Sequence, residues 1–437
     1  MFFFTLVFLS GASALVYEVL WAKYLALALG AGGLSQGLVL GGFLGGMGFG
    51  ARLLSPLADR VRSPLRLYAW LEGGIAAWGL AYPFLVSALP EGPARNWAAI
   101  ATVVPPAFLM GGTLPALVRH LSLRGMELER AVALLYFSNG AGACAGALAS
   151  GFVLIPSLGL DFSGTAAAAL NVGVAMAAYA LCSGSLPEPE APAPMPQLEA
   201  PDRFLGPAMF LSGFAALGLE TAWSRLLALA MGSSVYSFCL MLAAFIAGFS
   251  LGGLAAARRG LFLRGASAPI GFALCGAGLS AAATLGWFER LPYYLYLFGN
   301  HLGRKPETFL SFEAAKLAYA FALTAVPAFF MGLALPMACR QAAASGEGEG
   351  RAVGKILAFN ASGNFAGALS ALWLLPALGL RGLIEACVWL LAGAAGLIWW
   401  GGSSLRGPLR GLPAAAGLAA AGIMLSLAGP WDRAMIS

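Results

Sequence analysis

Four carboxylates lie inside long apolar runs of this sequence: Glu18, Glu72, Glu220 and Glu385. An ionisable side chain inside a membrane-spanning run is costly, so it faces a cavity or a partner. Glu18 has Tyr17, Trp21 and Lys23 beside it, and Glu220 has Trp223 and Arg225. Each Glu shares a helix face with the Trp three residues on. Glu18 and Lys23 are five apart, about 140° around a helix, and cannot pair without bending. Such residues suit two kinds of chemistry: an ion-pair gate, or an acidic aromatic cavity for a cationic amine. A ring face adds about 0.5–2 kcal/mol of cation–π attraction in the second case.

Other chemistries lack their residues. The two histidines, His120 and His301, fall in predicted loops, which excludes a His-based metal site or triad. The six cysteines (Cys144, Cys182, Cys239, Cys275, Cys339, Cys387) sit in apolar stretches without metal-ligand spacing and read as packing residues. No metal, cofactor or catalytic constellation is expected. GAGACAG at 140–146 follows no strand and lies within an apolar run, so it is not a phosphate loop.

The elements that must position these carboxylates are membrane helices. Hydrophobic residues make up 60% of the 437 and charged residues only 10%, against about 25% in a soluble domain. That excludes a soluble enzyme, a disordered chain and a nucleic-acid-binding module, and the net charge of +6 marks topology instead. Apolar runs predict spans at 3–29, 33–56, 67–89, 97–118, 131–157 and 163–183, then 204–231, 235–256, 267–288, 317–339, 352–376 and 382–401. A thirteenth candidate lies at 411–429. The N-terminal run has no basic n-region and continues into a full span, so it reads as a first helix rather than a cleaved signal. The chain divides into a six-helix repeat at 1–183, a Pro- and acid-rich linker at 184–203, a second six-helix repeat at 204–401, and 402–437 with the extra helix. Segment 289–316 reads as the longest loop, with an amphipathic stretch around Tyr293, Tyr294, Tyr296 and Phe298 that suits a membrane interface or a cover over the cavity mouth.

Basic residues sort by loop: Arg60, Arg62 and Arg66 after span two, and Arg119, Arg124 and Arg130 after span four. Arg258, Arg259 and Arg264 follow span eight, Arg340, Arg351 and Lys355 flank the loop after span ten, and Arg406 and Arg410 follow span twelve. The positive-inside rule then places the N-terminus and the linker in the cytoplasm, in a multi-pass protein of the cytoplasmic (inner) membrane.

An internal repeat organises the whole. SGASALVYEVLWAKYLALALG at 10–30 aligns without a gap with SGFAALGLETAWSRLLALAMG at 212–232, pairing Glu18 with Glu220, Trp21 with Trp223 and Lys23 with Arg225. PAFLMGGTLP at 106–115 answers PAFFMGLALP at 327–336, and Arg119, Arg130, Asn139, Gly142 and Gly146 answer Arg340, Arg351, Asn360, Gly363 and Gly367. Halves of six spans share one orientation, the parallel repeat of major-facilitator transporters. The fold expected is therefore all-α and polytopic, two parallel six-helix repeats of major-facilitator type. In that arrangement spans two and eleven, and five and eight, meet across the halves. The stripes Gly42, Gly46, Gly50; Gly142, Gly146; Gly248, Gly252; and Gly363, Gly367 are expected on those contacts. Asp59 and Arg60 in SPLADRVRSPLRLY match the acid–Arg loop motif of major-facilitator proteins, although Ser63 and Pro64 replace its usual Gly and following basic residue.

Spans one and seven line the central cavity in such a fold, so the pseudo-two-fold permits the crossed pairs Glu18–Arg225 and Glu220–Lys23. Those pairs would form a gate; the acidic cavity is the other reading, and both stay open on the sequence. Glu72 and Glu385 have no matched carboxylate in the other half, which makes them candidates for proton coupling. The alternative is that they cap helix ends or touch loop arginines.

The block SGxxALxYEVLW and the Gly-rich second span resemble the membrane domain of fused spermidine-synthase proteins. These join a major-facilitator-like region to a C-terminal polyamine-synthase-like domain. The resemblance covers most of the chain, most strongly 10–50, 55–75, 104–160 and 212–252. The end, GPWDRAMIS, looks like the junction to that domain, which this sequence does not contain. Aminopropyl transfer from decarboxylated S-adenosylmethionine would lie there. The resemblance implies an amine-linked context, hence a transporter of a small cationic, polyamine-like metabolite. The other expectation is a non-transporting membrane anchor or scaffold for a synthase-like domain or partner. The lipid bilayer is the one partner that composition itself requires. If 411–429 crosses the membrane, a reporter fused at Ser437 reads on the outer side; a cytoplasmic signal removes that span.

Overall fold

The computed structural model describes residues 2–30, 33–92, 94–182, 203–232, 234–257, 267–288, 290–302, 306–344, 348–402 and 411–428. Residues 184–202 of the expected linker, Arg258, Arg259, Arg264, Arg406, Arg410 and the terminal GPWDRAMIS lie outside them. Everything regular among the described residues is helical. The first half comprises α1 (Phe2–Leu29), α2 (Gly33–Arg60), α3 (Pro64–Ser87), α4 (Ala94–Ser122), α5 (Leu128–Ala149) and α6 (Ile155–Leu181). The second comprises α7 (Leu205–Met231), α8 (Val235–Ala256), α9 (Ala268–Phe288), α10 (Leu291–Leu302), α11 (Phe309–Ala343), α12 (Glu349–Gly402) and α13 (Leu412–Leu427).

Eight helical stretches are long and apolar enough to cross a bilayer. Two of them, Leu128–Leu181 and Glu349–Gly401, run to 54 and 53 residues, about twice a span. Each is two spans joined at a glycine. Gly159 has φ 74°, ψ −177° and Gly379 has φ 71°, ψ 177°, a region open essentially to glycine alone. Both occupy the same place in a repeated Pro-x-Leu-Gly-Leu segment, 156–160 and 376–380. Gly-diluted α2 and α3, which carries Glu72, complete the six-plus-six arrangement of a multi-pass membrane protein.

The halves differ by one residue. Ten positions lead from Gly146 to Pro156, but nine from Gly367 to Pro376. The extra residue is absorbed in a π-helical turn, Ser150–Leu154, between α5 and α6. A π turn widens the helix by one residue without breaking it.

Packing follows the repeat. α1 lies on α5 as α7 lies on α12, and α2 on α4 as α8 on α11. The halves meet along α2 with α12 and α5 with α8, as expected. The glycine stripes, however, are not on those seams. A Cβ at Gly50 would come 1.8 Å from the carbonyl oxygen of Phe108 on α4, and one at Gly252 2.0 Å from that of Phe329 on α11. A Cβ at Gly142 would come 1.8 Å from the Phe8 carbonyl oxygen of α1, and one at its repeat partner Gly363 1.9 Å from that of Phe210 on α7. Four-residue spacing marks where two backbones cross most closely, and here that crossing is within each half. The seam uses other residues: Gly41 and Gly45 face Phe365, Gly48 faces Ala361, and Gly140 faces Ser250.

Segment 289–316 is less of a loop than its charges suggest. It contains α10, with Tyr293, Tyr294, Tyr296 and Phe298 exposed, and α11 begins at Phe309, eight residues before the expected start. Glu313 and Lys316, which interrupt the apolar run, pair with each other at 2.7 Å three residues apart and are both buried. His120, expected in a loop, is buried in the last turn of α4 and stacks on Phe3 at 5.6 Å. Ser63 and Pro64 start α3: the Ser63 hydroxyl accepts from the Arg66 N–H, and Pro64 takes the first helical position. α13 packs on α9 and α12, but its 16 residues extend about 24 Å, short of a full crossing.

Gly142→Val or Gly363→Val should cost about 3 kcal/mol or more by overpacking against backbone. Gly173→Ala, with open space around it, should be neutral or slightly stabilising. Thermal denaturation in detergent checks both.

Candidate substrate site and inter-half gate

Glu18 and Glu220 come from the middle of α1 and α7, helices that do not pack as a pair. Each side chain is half-buried, and Glu220 is close enough to Glu18 to feel its charge. Two residues matched by a pseudo-two-fold approach each other only beside its axis. Among the described residues neither forms a side-chain hydrogen bond or an ion pair. The crossed pairs with Arg225 and Lys23 are absent: Lys23 lies near Cys239 on α8, and Arg225 is exposed.

The neighbouring aromatic residues do not line this centre. Tyr17, Trp21 and Trp223 are fully buried. Trp21 stacks on Tyr17 at 5.1 Å and on Tyr82 at 5.0 Å, inside the first half. It also meets Phe43 at 6.2 Å, and Trp223 meets the repeat-equivalent Phe245 at 6.1 Å. The same Trp–Phe contact in both halves holds the first and second spans of each repeat together. Phe43 and Phe245 stand in the same register as the Trp pair, a signal present in the sequence. The cation–π component of the expected cavity is thereby removed.

Glu72 is fully buried on α3. It accepts hydrogen bonds from Ser10 Oγ of α1 at 2.5 Å and from Asn171 Nδ2 of α6. Glu385, in contrast, pairs with Arg381 one turn earlier at 2.6 Å, so it is not an uncompensated acid. Tyr24 on α1 donates to Asp161 on α6.

The ends of the helices build a second arrangement. Asp59, at the end of α2, accepts from the backbone N–H groups of Gly350 at 2.9 Å and Arg351 at 2.8 Å, in the first turn of α12. A carboxylate there also meets the positive end of the helix dipole. Arg119, at the end of α4, bridges Asp59 at 3.8 Å and Glu349 at 3.5 Å. Its repeat partner Arg340, at the end of α11, pairs with Glu129 in the first turn of α5 at 2.6 Å. Each arginine thus crosses from its own half to the start of the fifth span of the other. Arg60 of the loop motif is exposed and takes no part.

Sequence reading missed Glu129, Glu349, Ser10 and Asn171. The two glutamates sit one position out of repeat register, so alignment of the halves passes over them. A double-mutant cycle on Arg340→Ala and Glu129→Ala should give a coupling energy of about 1 kcal/mol, since the pair is partly exposed. Chemical denaturation of the four proteins measures it.

No protein-family model matches the chain, and no curated protein matches it. Solved structures do. The human organic anion transporter MFSD10 (TETRAN) is similar at TM-score 0.60 and 18% identity, over 90% of this chain and 98% of that one. The peptide transporter POT, in complex with alafosfalin, is similar at TM-score 0.52 and 16% identity, over 97% and 93%. At such identities the likeness concerns the fold. With its two parallel six-span halves, this chain has the fold of the major-facilitator transporters.

Proposed function

We propose that the protein is a membrane transporter that moves a small cationic amine, of the polyamine kind, by alternating access. The fold supports transport. The observation that carries the substrate class is the Glu18–Glu220 pair: two carboxylates on opposite halves, with no basic partner among the described residues. When both are ionised, their mutual repulsion in a site of low dielectric is strong. A diamine or longer polyamine brings two ammonium groups and neutralises both at once. Each ammonium donates to a carboxylate in a charge-assisted hydrogen bond.

The Asp59–Arg119–Glu349 and Arg340–Glu129 contacts close one face of the molecule and would have to part for the site to open there. The concentration of Arg on that face supports its being cytoplasmic. Glu72 supplies the coupling site; Glu385, neutralised by Arg381, does not.

Uptake of labelled putrescine and spermidine by proteoliposomes tests the reading. The wild-type protein should accumulate amine, and Glu18→Gln and Glu220→Gln should each lower uptake at least tenfold with little change in Tm. No flux and no thermal shift across an amine panel would overturn it in favour of a membrane anchor for a synthase-like domain.

A further inference from the structure

We infer that the side chains around Glu72 form a binding site for a monovalent metal cation of the Na+ class. Three helices of the first half converge there: α1 brings Ser10, α3 brings Tyr68 and Glu72, and α6 brings Asn171. Glu72 has no exposed surface, and Asn171 almost none. Ser10 Oγ and Asn171 Nδ2 both donate to the carboxylate. The Tyr68 hydroxyl, buried without a hydrogen-bond partner, lies beside Ser10 and Glu72. None of these neighbours is basic, and Glu72 forms no ion pair among the described residues. A carboxylate charge there would have no balancing charge beside it.

A second observation points to a ligand. The Asn171 amide oxygen is buried without any hydrogen-bond partner. Glu72, Ser10 and Tyr68 offer four oxygen atoms in one place, two carboxylate and two hydroxyl, and the Asn171 amide supplies a fifth when it turns over. Hard cations take such ligands, and the hydroxyls turn from donor to acceptor by rotating their O–H bonds. Charge selects the valence, because one carboxylate is neutralised by a single positive charge, whereas a divalent ion would leave a surplus inside the bilayer. Softer metals have no ligands here, since no cluster of His, Cys, Asp and Glu exists among the described residues. A proton would also neutralise Glu72, but it supplies one donor and leaves the rest of the oxygen cluster without a role.

The inference deepens the coupling role given to Glu72 and rests on that role only for its consequence in transport. Binding itself is a property of the purified full chain. Sodium-22 binding and Tm are measured in detergent, with choline chloride holding ionic strength constant. Saturable Na+ binding is expected, with a Tm rise of several degrees in NaCl that KCl does not reproduce. Glu72→Gln should abolish both effects. Ser10→Ala and Asn171→Ala, which keep the carboxylate, should weaken Na+ affinity about tenfold, the scale of losing a supporting group at a metal site. These two keep the test decisive if Glu72→Gln fails to fold. Absence of saturable Na+ binding by the wild-type protein would overturn the inference. So would binding that survives all three substitutions, or a Tm that responds to pH and not to Na+. Sodium binding that persists in Glu18→Gln while amine uptake fails separates this site from the substrate reading.

Discussion

A charge inside a bilayer must be answered locally, because no water reaches it. This protein answers its intramembrane charges in two ways. Glu313 with Lys316 and Arg381 with Glu385 are balanced on their own helices, three and four residues apart. Glu72 is held by uncharged donors from two other helices. Glu18 and Glu220 have no partner of either kind among the described residues. Both solutions cost little in architecture.

The duplication then explains most of the scaffold. Phe8 and Ala12 under Gly142 and Gly146 reappear as Phe210 and Phe214 under Gly363 and Gly367. Trp21 on Phe43 reappears as Trp223 on Phe245. Each half is a close-packed body because glycine lets its helix backbones touch. The arginine contacts between the halves are of a different kind, made of long charged side chains at helix ends, and they add to the packed seams of α2 with α12 and α5 with α8.

Much of this was legible in the sequence. Hydropathy placed the spans, and the gapless match of 10–30 with 212–232 revealed the repeat and its orientation. The errors have physical causes. Periodicity identified the glycine stripes but not which neighbour each one touches, since both partners of a helix are apolar. Whether the aromatic residues beside Glu18 and Glu220 line a cavity is open on the sequence, because adjacency in sequence says little about which way a helix face is turned. Lys23 and Arg225 were paired with the acids by charge alone, yet Lys23 lies toward α8 and Arg225 points outward. Glu313 and Lys316 were read as loop charges because a hydropathy window cannot see that two opposite charges one turn apart cancel. The Ser10–Glu72–Asn171 cluster joins residues scattered over 160 positions, and only the folded chain brings them together.

The π-helical turn at Ser150–Leu154 gives the duplication a direction. It absorbs the extra residue, so that Pro156 and Gly159 stay equivalent to Pro376 and Gly379, yet equivalent positions beyond it differ in residue type and take different partners. Asp161 in the first half bonds to Tyr24, whereas Arg381, its counterpart, bonds to Glu385 on its own helix. The same turn sets Phe152 against Tyr236 of the opposite half. Two identical copies of either half could not reproduce this pattern. Whatever its origin, the molecule has ceased to be a dimer of interchangeable parts, and its two sides have separate identities.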